Sequence, residues 1–388
     1  MSGLFFHQEG ESLRKEEKKV EYLELIYDLI FVYIIGRNNS LLHHVENGFV
    51  PGATFLAYVL CSLAIIQIWN FSTFYINMHG RNGLRDHIAL FLNMYLLYYI
   101  GEGTRLHWES FQNQYCIAWA LILLNIGTQY VIELRNHGEP AVRRSIRRMV
   151  IVLYGEALLV LLLIPIFNRT GAALTAVPIL FGMLMTRLFA DETKAEMVDF
   201  THLSERAMLY VVFTFGEMII AIASYFEGDF TLASVYFSGM CFLIVVGLFL
   251  CYELLYDRIL DREKKTTGIG YMIIHIFLIL AMNNITTSLE FMRDEEVSLW
   301  PKTLFLLASF VLFFLCLFAL QSYAKEGRGI CRQTVLPIAA MTAVFVLLML
   351  LLRENMQLNI FLSVLYVAAI FLWMLRFSRG KDHKEGRI

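Results

Sequence analysis

Long apolar runs are the feature that most restricts how this chain can fold. Twelve of them can be drawn, at 21–44, 52–78, 86–103, 112–134, 146–167, 171–190, 205–226, 230–256, 267–292, 300–323, 333–352 and 357–378. A helix of about 20 apolar residues crosses the hydrocarbon core of a bilayer. Only helices and closed barrels satisfy every backbone group there, and these runs do not alternate as barrel strands do. The sequence therefore predicts an all-α polytopic membrane protein with about 12 transmembrane helices.

The composition agrees with a membrane location. Of the 388 residues, 58% are hydrophobic and 17% are charged, whereas a soluble domain is closer to half apolar and a quarter charged. The formal net charge is −2 and no long basic face is present, so nucleic acid is not an expected partner. The expected partners are the lipid bilayer and an unidentified small solute or ion, and these features leave the oligomeric state open.

The distribution of basic residues predicts the orientation. Placing the N-terminus in the cytoplasm puts Lys or Arg in every inside connection, and both termini are then cytoplasmic. The outside connections are short or acidic, as at 227–229 and 294–296. Of the 32 basic residues, those that lie elsewhere are Arg37, Arg105, Arg169, Arg293, Lys302 and Arg353. A half-inserted helix pair near 146–190 is the alternative to twelve complete spans.

The domain organisation follows from the same pattern. The connections between runs are too short for a soluble domain, so function is predicted to lie in the membrane portion. A charged cytoplasmic segment at 1–20 precedes a single membrane domain at 21–378, and a basic cytoplasmic tail follows at 379–388.

A weak internal similarity divides the membrane domain into halves at 21–200 and 201–378. At an offset of 180 residues the first and seventh spans match at several positions: Leu23 with Leu203, Leu29 with Leu209, Val32 with Val212, and Gly36 with Gly216. Because six helices is an even number, such halves form a 6+6 parallel repeat. The alternative is that apolar helices resemble one another by composition alone.

Charged residues inside the first and seventh spans are the candidate functional groups. Glu24 and Asp28 share one helix face, since residues four apart align. A rise of ~1.5 Å per residue places Arg37 roughly 20 Å and Glu217 roughly 18 Å into the membrane. A buried charge is costly unless it is paired, so Arg37 and Glu217 are predicted to pair and, with Asp28 and Arg206, to line a polar pathway between the halves. The alternatives are a salt bridge that only locks two helices, or an Arg37 side chain that extends outward to the interface.

Glu156 is a further carboxyl group deep in an apolar span, and it requires a partner. The candidate partners are Arg187, Arg148 and His275. His275 itself is interpreted as a hydrogen-bonded packing residue, with a proton relay as the alternative.

Motifs for catalysis, cofactors and metals do not appear. The sequence contains no HExxH, GxSxG or P-loop, and its six cysteines are scattered without a CxxC pair. We therefore predict no cofactor, no disulfide framework and no zinc site, and an enzymatic role is the less favoured interpretation.

Two segments resemble the hallmark motifs of a known family. ELIYDLIFV at Glu24–Val32 resembles ELFFDLVFV, the opening motif of the bacterial low temperature requirement A membrane proteins. HLSER at His202–Arg206 and FGE at Phe215–Glu217 resemble the family's H-x-x-E-R followed by L-G-E. Tyr252–Arg258 is similar to a third, aromatic and acidic stretch. The chain departs from the family at Arg37–Asn39, where uncharged polar residues are usual, which weakens the Arg37–Glu217 pairing as a family-wide feature.

The resemblance implies a multi-pass protein of the bacterial inner (plasma) membrane, but no particular activity. It also implies which residues matter for function: Glu24, Asp28, His202, Glu205, Arg206 and Glu217. We add Glu156 to this set because of its predicted depth.

Three functions fit these observations, and each requires a different structure. A proton- or cation-coupled transporter needs a polar cavity that reaches the midplane near Glu217. A sensor or scaffold needs its carboxylates fully paired, with no cavity. An enzyme acting on lipid needs a cavity at the cytoplasmic leaflet and His202 beside a carboxylate.

Overall fold

The chain folds as a bundle of α-helices. The computed structural model describes residues 18–103, 108–170, 174–226, 231–292, 294–329 and 332–384. Within these ranges the α-helices are α1 (Tyr22–Asn38), α2 (Gly52–His79), α3 (Leu84–Gly103), α4 (Trp108–Asn136), α5 (Pro140–Thr170), α6 (Ala176–Leu188), α7 (Glu192–Met197), α8 (Phe200–Ile222), α9 (Leu232–Leu254), α10 (Ile269–Phe291), α11 (Leu299–Ala319), α12 (Arg332–Leu351) and α13 (Met356–Lys384). Most of the predicted segment 1–20 and the end of the tail lie outside the described residues.

The helices follow the apolar runs. Helices α1–α6 and α8–α13 begin and end within a few residues of the twelve runs, and α7 is an additional short helix in a connection. In the described part of the chain, eight helices are long and apolar enough to cross a membrane: α2, α4, α5, α8, α9, α10, α11 and α13. The expectation of a multi-span helical membrane protein is confirmed, while the number of twelve spans, the location of the termini and the repeat stay predictions.

The first helix is shorter than its apolar run. α1 ends at Asn38 and a 3-10 turn continues to His43. Asn38 donates to the backbone oxygen of Tyr58 at 3.0 Å and to the Ser62 hydroxyl at 2.7 Å. These bonds to α2 satisfy the polar side chain at the point where the helix changes direction.

The two parts of the bundle share several helix contacts, although among the described residues α2 also packs on α4 and α9 makes no comparable contact with α11. In the first part α1 packs on α2 and α3, α3 on α4, α5 on α6, and α2 on α6. In the second part α8 packs on α9 and α10, α10 on α11, α12 on α13, and α9 on α13. The two parts meet where α1 contacts α8 and where α2 contacts α8 and α10.

α10 lies in the interior of the bundle. In its most apolar stretch of 18 residues, 78% of the residues are buried. Asn283 bonds within the helix, donating to the backbone oxygen of Ile279 at 3.0 Å, whereas Asn284 Oδ1 accepts from the Tyr58 hydroxyl of α2 at 2.8 Å. His275 contacts the backbone oxygen of Tyr271 at 2.9 Å and the Tyr252 hydroxyl at 3.1 Å. These contacts match the packing interpretation of His275. The described cysteines are free and buried, and Cys331 lies outside the described residues.

A left-handed glycine sets the start of α10 against α8. Gly268 has φ +66°, a conformation that residues with a Cβ adopt only at a cost. A Cβ at this position also overlaps the Leu203 side chain of α8. The close approach of α10 to the beginning of α8 therefore depends on glycine.

Gly268→Ala is expected to destabilise the protein by about 1–3 kcal/mol, because it combines backbone strain with a steric overlap. The unfolding midpoint in a denaturing detergent titration measures the effect. Gly83→Ala is the matched control, since no atom lies within 4 Å of its Cβ position. Equal midpoints for the two variants would contradict this account.

The predicted orientation is testable by cysteine labelling in a variant without the native cysteines. Glu263, between α9 and α10, and Glu295, between α10 and α11, are both exposed. In intact cells a membrane-impermeant maleimide is expected to label Glu295→Cys, but Glu263→Cys only after permeabilisation, because basic connections stay in the cytoplasm. The reverse pattern would overturn the orientation.

Candidate functional site

α1 presents two carboxylates to the interior at the end of the bundle where it begins, here named the amino end. Glu24 and Asp28 are 3% and 0% exposed. Both lie on the buried face because they are one helical turn apart, whereas Ile26 and Leu29 of the same turns point outward. The spacing of the two acids thus places both of them at the contact with α8.

α8 presents two basic groups at the same end. Its N-cap is Asp199, whose side chain accepts from the backbone N–H of His202 at 3.1 Å. His202 and Arg206 are one turn apart, and both are 0% exposed. The acids of α1 therefore face the bases of α8.

Arg206 is shared by the two carboxylates. Its Nη2 lies 2.5 Å from Asp28 Oδ1, and its Nε lies 3.3 Å from Glu24 Oε2. His202 Nε2 lies 3.3 Å from the same Glu24 oxygen. We call Glu24, Asp28, His202 and Arg206 the α1–α8 cluster. In a low-dielectric interior such pairing is what makes burial of these charges tolerable.

α2 closes the cluster with Trp69 at one end, whose Nε1 donates to Asp28 Oδ1 at 2.8 Å. At the other end the Asn77 Oδ1 accepts from the backbone N–H of Asp199 at 3.1 Å, which orients the amide. The Asn77 NH₂ group then donates to His202 Nδ1 at 3.0 Å. A neutral His202 thus carries its proton on Nε2, toward Glu24.

Lys18 lies above the cluster at the amino end. Its ammonium donates to the backbone oxygens of Ile76 and, at 3.0 Å, of Gly80, which follow from the last turn of α2. Burial lowers the pKa of Lys18, and the charge of Glu24 partly offsets that effect. Lys18 is therefore a cation held close to the cluster but outside its ion pairs.

Two cavities meet at Lys18. One has a volume of about 360 Å³ and reaches Glu24; its lining includes Lys18, Glu21, Glu24, Gly80, Arg81 and Asp86. The other has a volume of about 860 Å³ and reaches Asn77; its lining includes Lys18, Asn77, Asp199, Arg262, Lys264 and Lys265. The cluster is thus approached from the amino end on two sides.

Glu205 is not part of the cluster. It lies one residue before Arg206 and therefore on another helix face, where it is partly exposed and interacts electrostatically with Tyr256. Within the described residues no ion pair involves Glu205. The structure thus brings together four of the residues that the family resemblance implied and separates Glu205 from them.

The pairing of Arg37 with Glu217 stays a prediction. Gly36 faces Glu217, since a Cβ on Gly36 would lie 2.6 Å from Glu217 Oε1. Arg37 is one residue further around the helix, and its guanidinium lies 5.7 Å from the centre of the Tyr33 ring. Glu217 lies close enough to a second carboxyl group, Glu290 of α10, for the two charges to repel each other.

Glu156 has a different partner from the three predicted. Gln67 of α2 donates to Glu156 Oε2 at 3.3 Å, and Glu156 is 0% exposed. Arg148 pairs with Asp191 at 2.6 Å and His275 bonds to tyrosine and backbone groups, so these candidates were wrong. Arg187 is exposed.

The hydrogen bonds that α2 makes to the candidate site residues were not predicted from the sequence. The signal for them is a series of polar residues in an otherwise apolar run: Gln67, Asn70, Ser72, Thr73 and Asn77. All five are buried. Polar groups inside a membrane helix need partners, and here two neighbouring helices supply partners for Gln67 and Asn77.

Comparison with known proteins identifies related sequences at the family level. A family model described as Bacterial low temperature requirement A protein (LtrA) matches residues 19–375. This match covers nearly the whole chain and confirms the resemblance noted in the sequence. No curated protein matches the chain, and no solved structure does so.

Arg206→Leu is expected to destabilise the protein by about 3–5 kcal/mol, because it leaves two buried carboxylates without their shared cation. Denaturing detergent titration measures the loss. The control is Arg187→Leu, in which an exposed arginine of α6 is removed and little change is expected. A variant as stable as this control would show that the cluster does not hold α1 to α8.

Proposed function

The chain belongs to the bacterial low temperature requirement A protein family, and from this premise we propose that it is a proton- or cation-coupled transporter of a small solute in the bacterial plasma membrane. The α1–α8 cluster is its coupling site. The main support for the proposal is that the cluster lies between α1 and α8, where Arg206 of α8 forms ion pairs with Glu24 and Asp28 of α1.

α1 and α8 are the first helices of two groups that share several helix contacts. In each group the first helix contacts the second and third, the third contacts the fourth, and the second contacts the sixth. This agreement supports a 6+6 parallel repeat, and coupling sites of transporters lie at the interface between such repeats. Movement of one half against the other would break or re-form the ion pairs of Arg206.

The charge balance of the cluster supports binding of a proton or cation. Two carboxylates and one guanidinium leave one negative charge when His202 is neutral. Lys18 interacts electrostatically with Glu24 and balances that charge from the cavity side. When the ion pairs separate, protonation of Glu24 or His202, or entry of a cation, replaces the lost counter-charge.

The cavities support access from the amino end, which is the predicted cytoplasmic side. Glu24 lines the 360 Å³ cavity, whereas Asp28 and Arg206 lie deeper and are 0% exposed. The sequence-based expectation placed the transport cavity near Glu217. Neither of the two cavities at Lys18 is lined by Glu217, and the proposal therefore assigns coupling to Glu24 rather than Glu217.

An enzyme acting on lipid is the second candidate, because His202 lies beside Glu24 and cavities open at the amino end. Against it, both ring nitrogens of His202 face protein groups and the ring is fully buried. A general base needs to reach the proton that it removes from the substrate.

A scaffold requires fully paired charges and no cavity. Arg206 Nη1, however, has no hydrogen-bond partner among the described residues, and a cavity reaches Glu24.

Proton movement in proteoliposomes tests the proposal. Vesicles containing the full-length protein and a trapped pH-sensitive dye are exposed to gradients of sodium, potassium, ammonium, organic cations, amino acids and sugars. We expect at least one gradient to move protons with the wild-type protein. Glu24→Gln is expected to reduce that movement at least tenfold, because the group that exchanges the proton is lost.

Glu205→Gln is the matched control, since it changes the same functional group on the same helix as His202 but outside the cluster. Glu217→Gln is expected to keep most of the activity. Mass spectrometry of the vesicle lipids tests the enzymatic alternative in the same samples. Absence of proton movement under every gradient would overturn proton coupling, and an equal loss in Glu24→Gln and Glu205→Gln would overturn the assignment of coupling to Glu24.

A further inference from the structure

Three potential metal ligands lie together at the amino end, outside the α1–α8 cluster. They are His79 at the end of α2, Glu133 in the last turns of α4, and His137 just after α4. Their ligand atoms all lie within 4.8 Å of one another. Glu133 and His137 are four residues apart, so a single helical turn brings both side chains to one face.

The buried and unpartnered side chain of His79 indicates that a ligand binds here. It is 6% exposed, and neither of its ring nitrogens has a hydrogen-bond partner in the part of the chain that the structure describes. A buried imidazole without any hydrogen-bond partner is unfavourable, because it has lost its bonds to water without replacement. Its surroundings are aromatic, with Tyr130 at 5.4 Å and the His137 ring at 5.6 Å between centroids. Coordination of a metal satisfies one nitrogen directly.

Glu133 is held in a way that suits a ligand carboxylate. Its Oε1 lies 2.6 Å from Arg85 Nη2, while its Oε2 accepts from the Asn136 side chain at 3.1 Å and lies 3.6 Å from Arg81 Nη2 and 3.8 Å from His137 Nε2. Outer partners of this kind orient a ligand carboxylate, and a metal bound at Oε2 would replace the contact with Arg81. Arg85 also contacts Asp86 at 3.3 Å, which offsets part of its positive charge near the site.

We propose that His79, Glu133 and His137 bind a divalent transition metal of the zinc class. Two imidazoles and one carboxylate are a donor set that zinc accepts, with a fourth position left for water or another ligand. In tetrahedral zinc geometry, bonds of about 2.0–2.1 Å separate neighbouring ligand atoms by about 3.3 Å. The observed distances require the side chains to close by on the order of 1 Å.

The site joins the ends of α2 and α4 next to the α1–α8 cluster. Asn77, which bonds to His202, precedes His79 by two residues on α2. A bound metal therefore fixes the same turn of α2 that orients His202. The scattered cysteines predicted no zinc site, but these ligands come from helices that are distant in the sequence.

Metal binding to the purified full-length protein, stripped of metal and of any affinity tag, tests the proposal independently of transport. We expect one Zn²⁺ per chain by mass spectrometric metal analysis. Co²⁺ is expected to give the visible absorption of a four-coordinate site. His79→Ala and His137→Ala are each expected to weaken Zn²⁺ binding at least tenfold.

His87→Ala is the matched control, since it removes a histidine at the same end of the bundle but outside the trio, and it should bind like wild type. If His79→Ala does not fold, His137→Ala carries the test, because the His137 side chain is 34% exposed and lies beyond the end of α4. Absence of stoichiometric Zn²⁺ and Co²⁺ binding, or unchanged affinity in folded His137→Ala, would overturn the proposal.

Discussion

One guanidinium shared by two carboxylates inside an apolar bundle is the interaction on which the rest of the structure depends. Arg206 is completely buried, and its ion pairs to Glu24 and Asp28 join the two groups of helices. Apolar side chains gain little from meeting one another in lipid, which is itself apolar, so polar contacts carry much of the specificity between membrane helices. The contact of α1 with α8 is therefore specified by charge, while the surrounding packing fills space.

α2 organises the polar interior around that contact. Along one helix, Gln67 bonds to Glu156, Trp69 to Asp28 and Asn77 to His202. The last residue of the helix, His79, lies with two residues of α4 in the proposed metal site. A single helix thus contacts Glu156, Asp28 and His202, and a shift of this helix would change all three contacts. The proposed metal site and the proposed transport site therefore share one helix, α2.

Much of the candidate site followed from residue spacing, and the wrong partners predicted for Glu156 have a physical cause. The four-residue spacing of Glu24 and Asp28 placed both on one face, because helical periodicity is local. The pairing of Arg37 with Glu217 rests on depth alone and stays a prediction, although Gly36 is the residue that faces Glu217 and adjacent residues differ by about 100° around the helix. Glu156 was assigned to a cation although Gln67 was the neighbour. Depth can be counted along a chain, but rotation about the helix axis relative to another helix cannot.

The sequence by itself determined that this chain is a multi-span helical membrane protein of the low temperature requirement A family, because apolar run length and local motifs need no tertiary information. It also identified Glu24, Asp28 and Glu156 as charges inside the apolar runs, and all three are buried. Only the tertiary structure decided which charges meet. Glu24 with His202, Asp28 with Trp69, and His79 with Glu133 are all separated by more than 40 residues, and their proximity follows from how whole helices rotate and pack against one another. The physical reason is that the backbone hydrogen bonds of a helix form within the helix itself. The partners of its side chains are therefore determined only when the helices pack against one another.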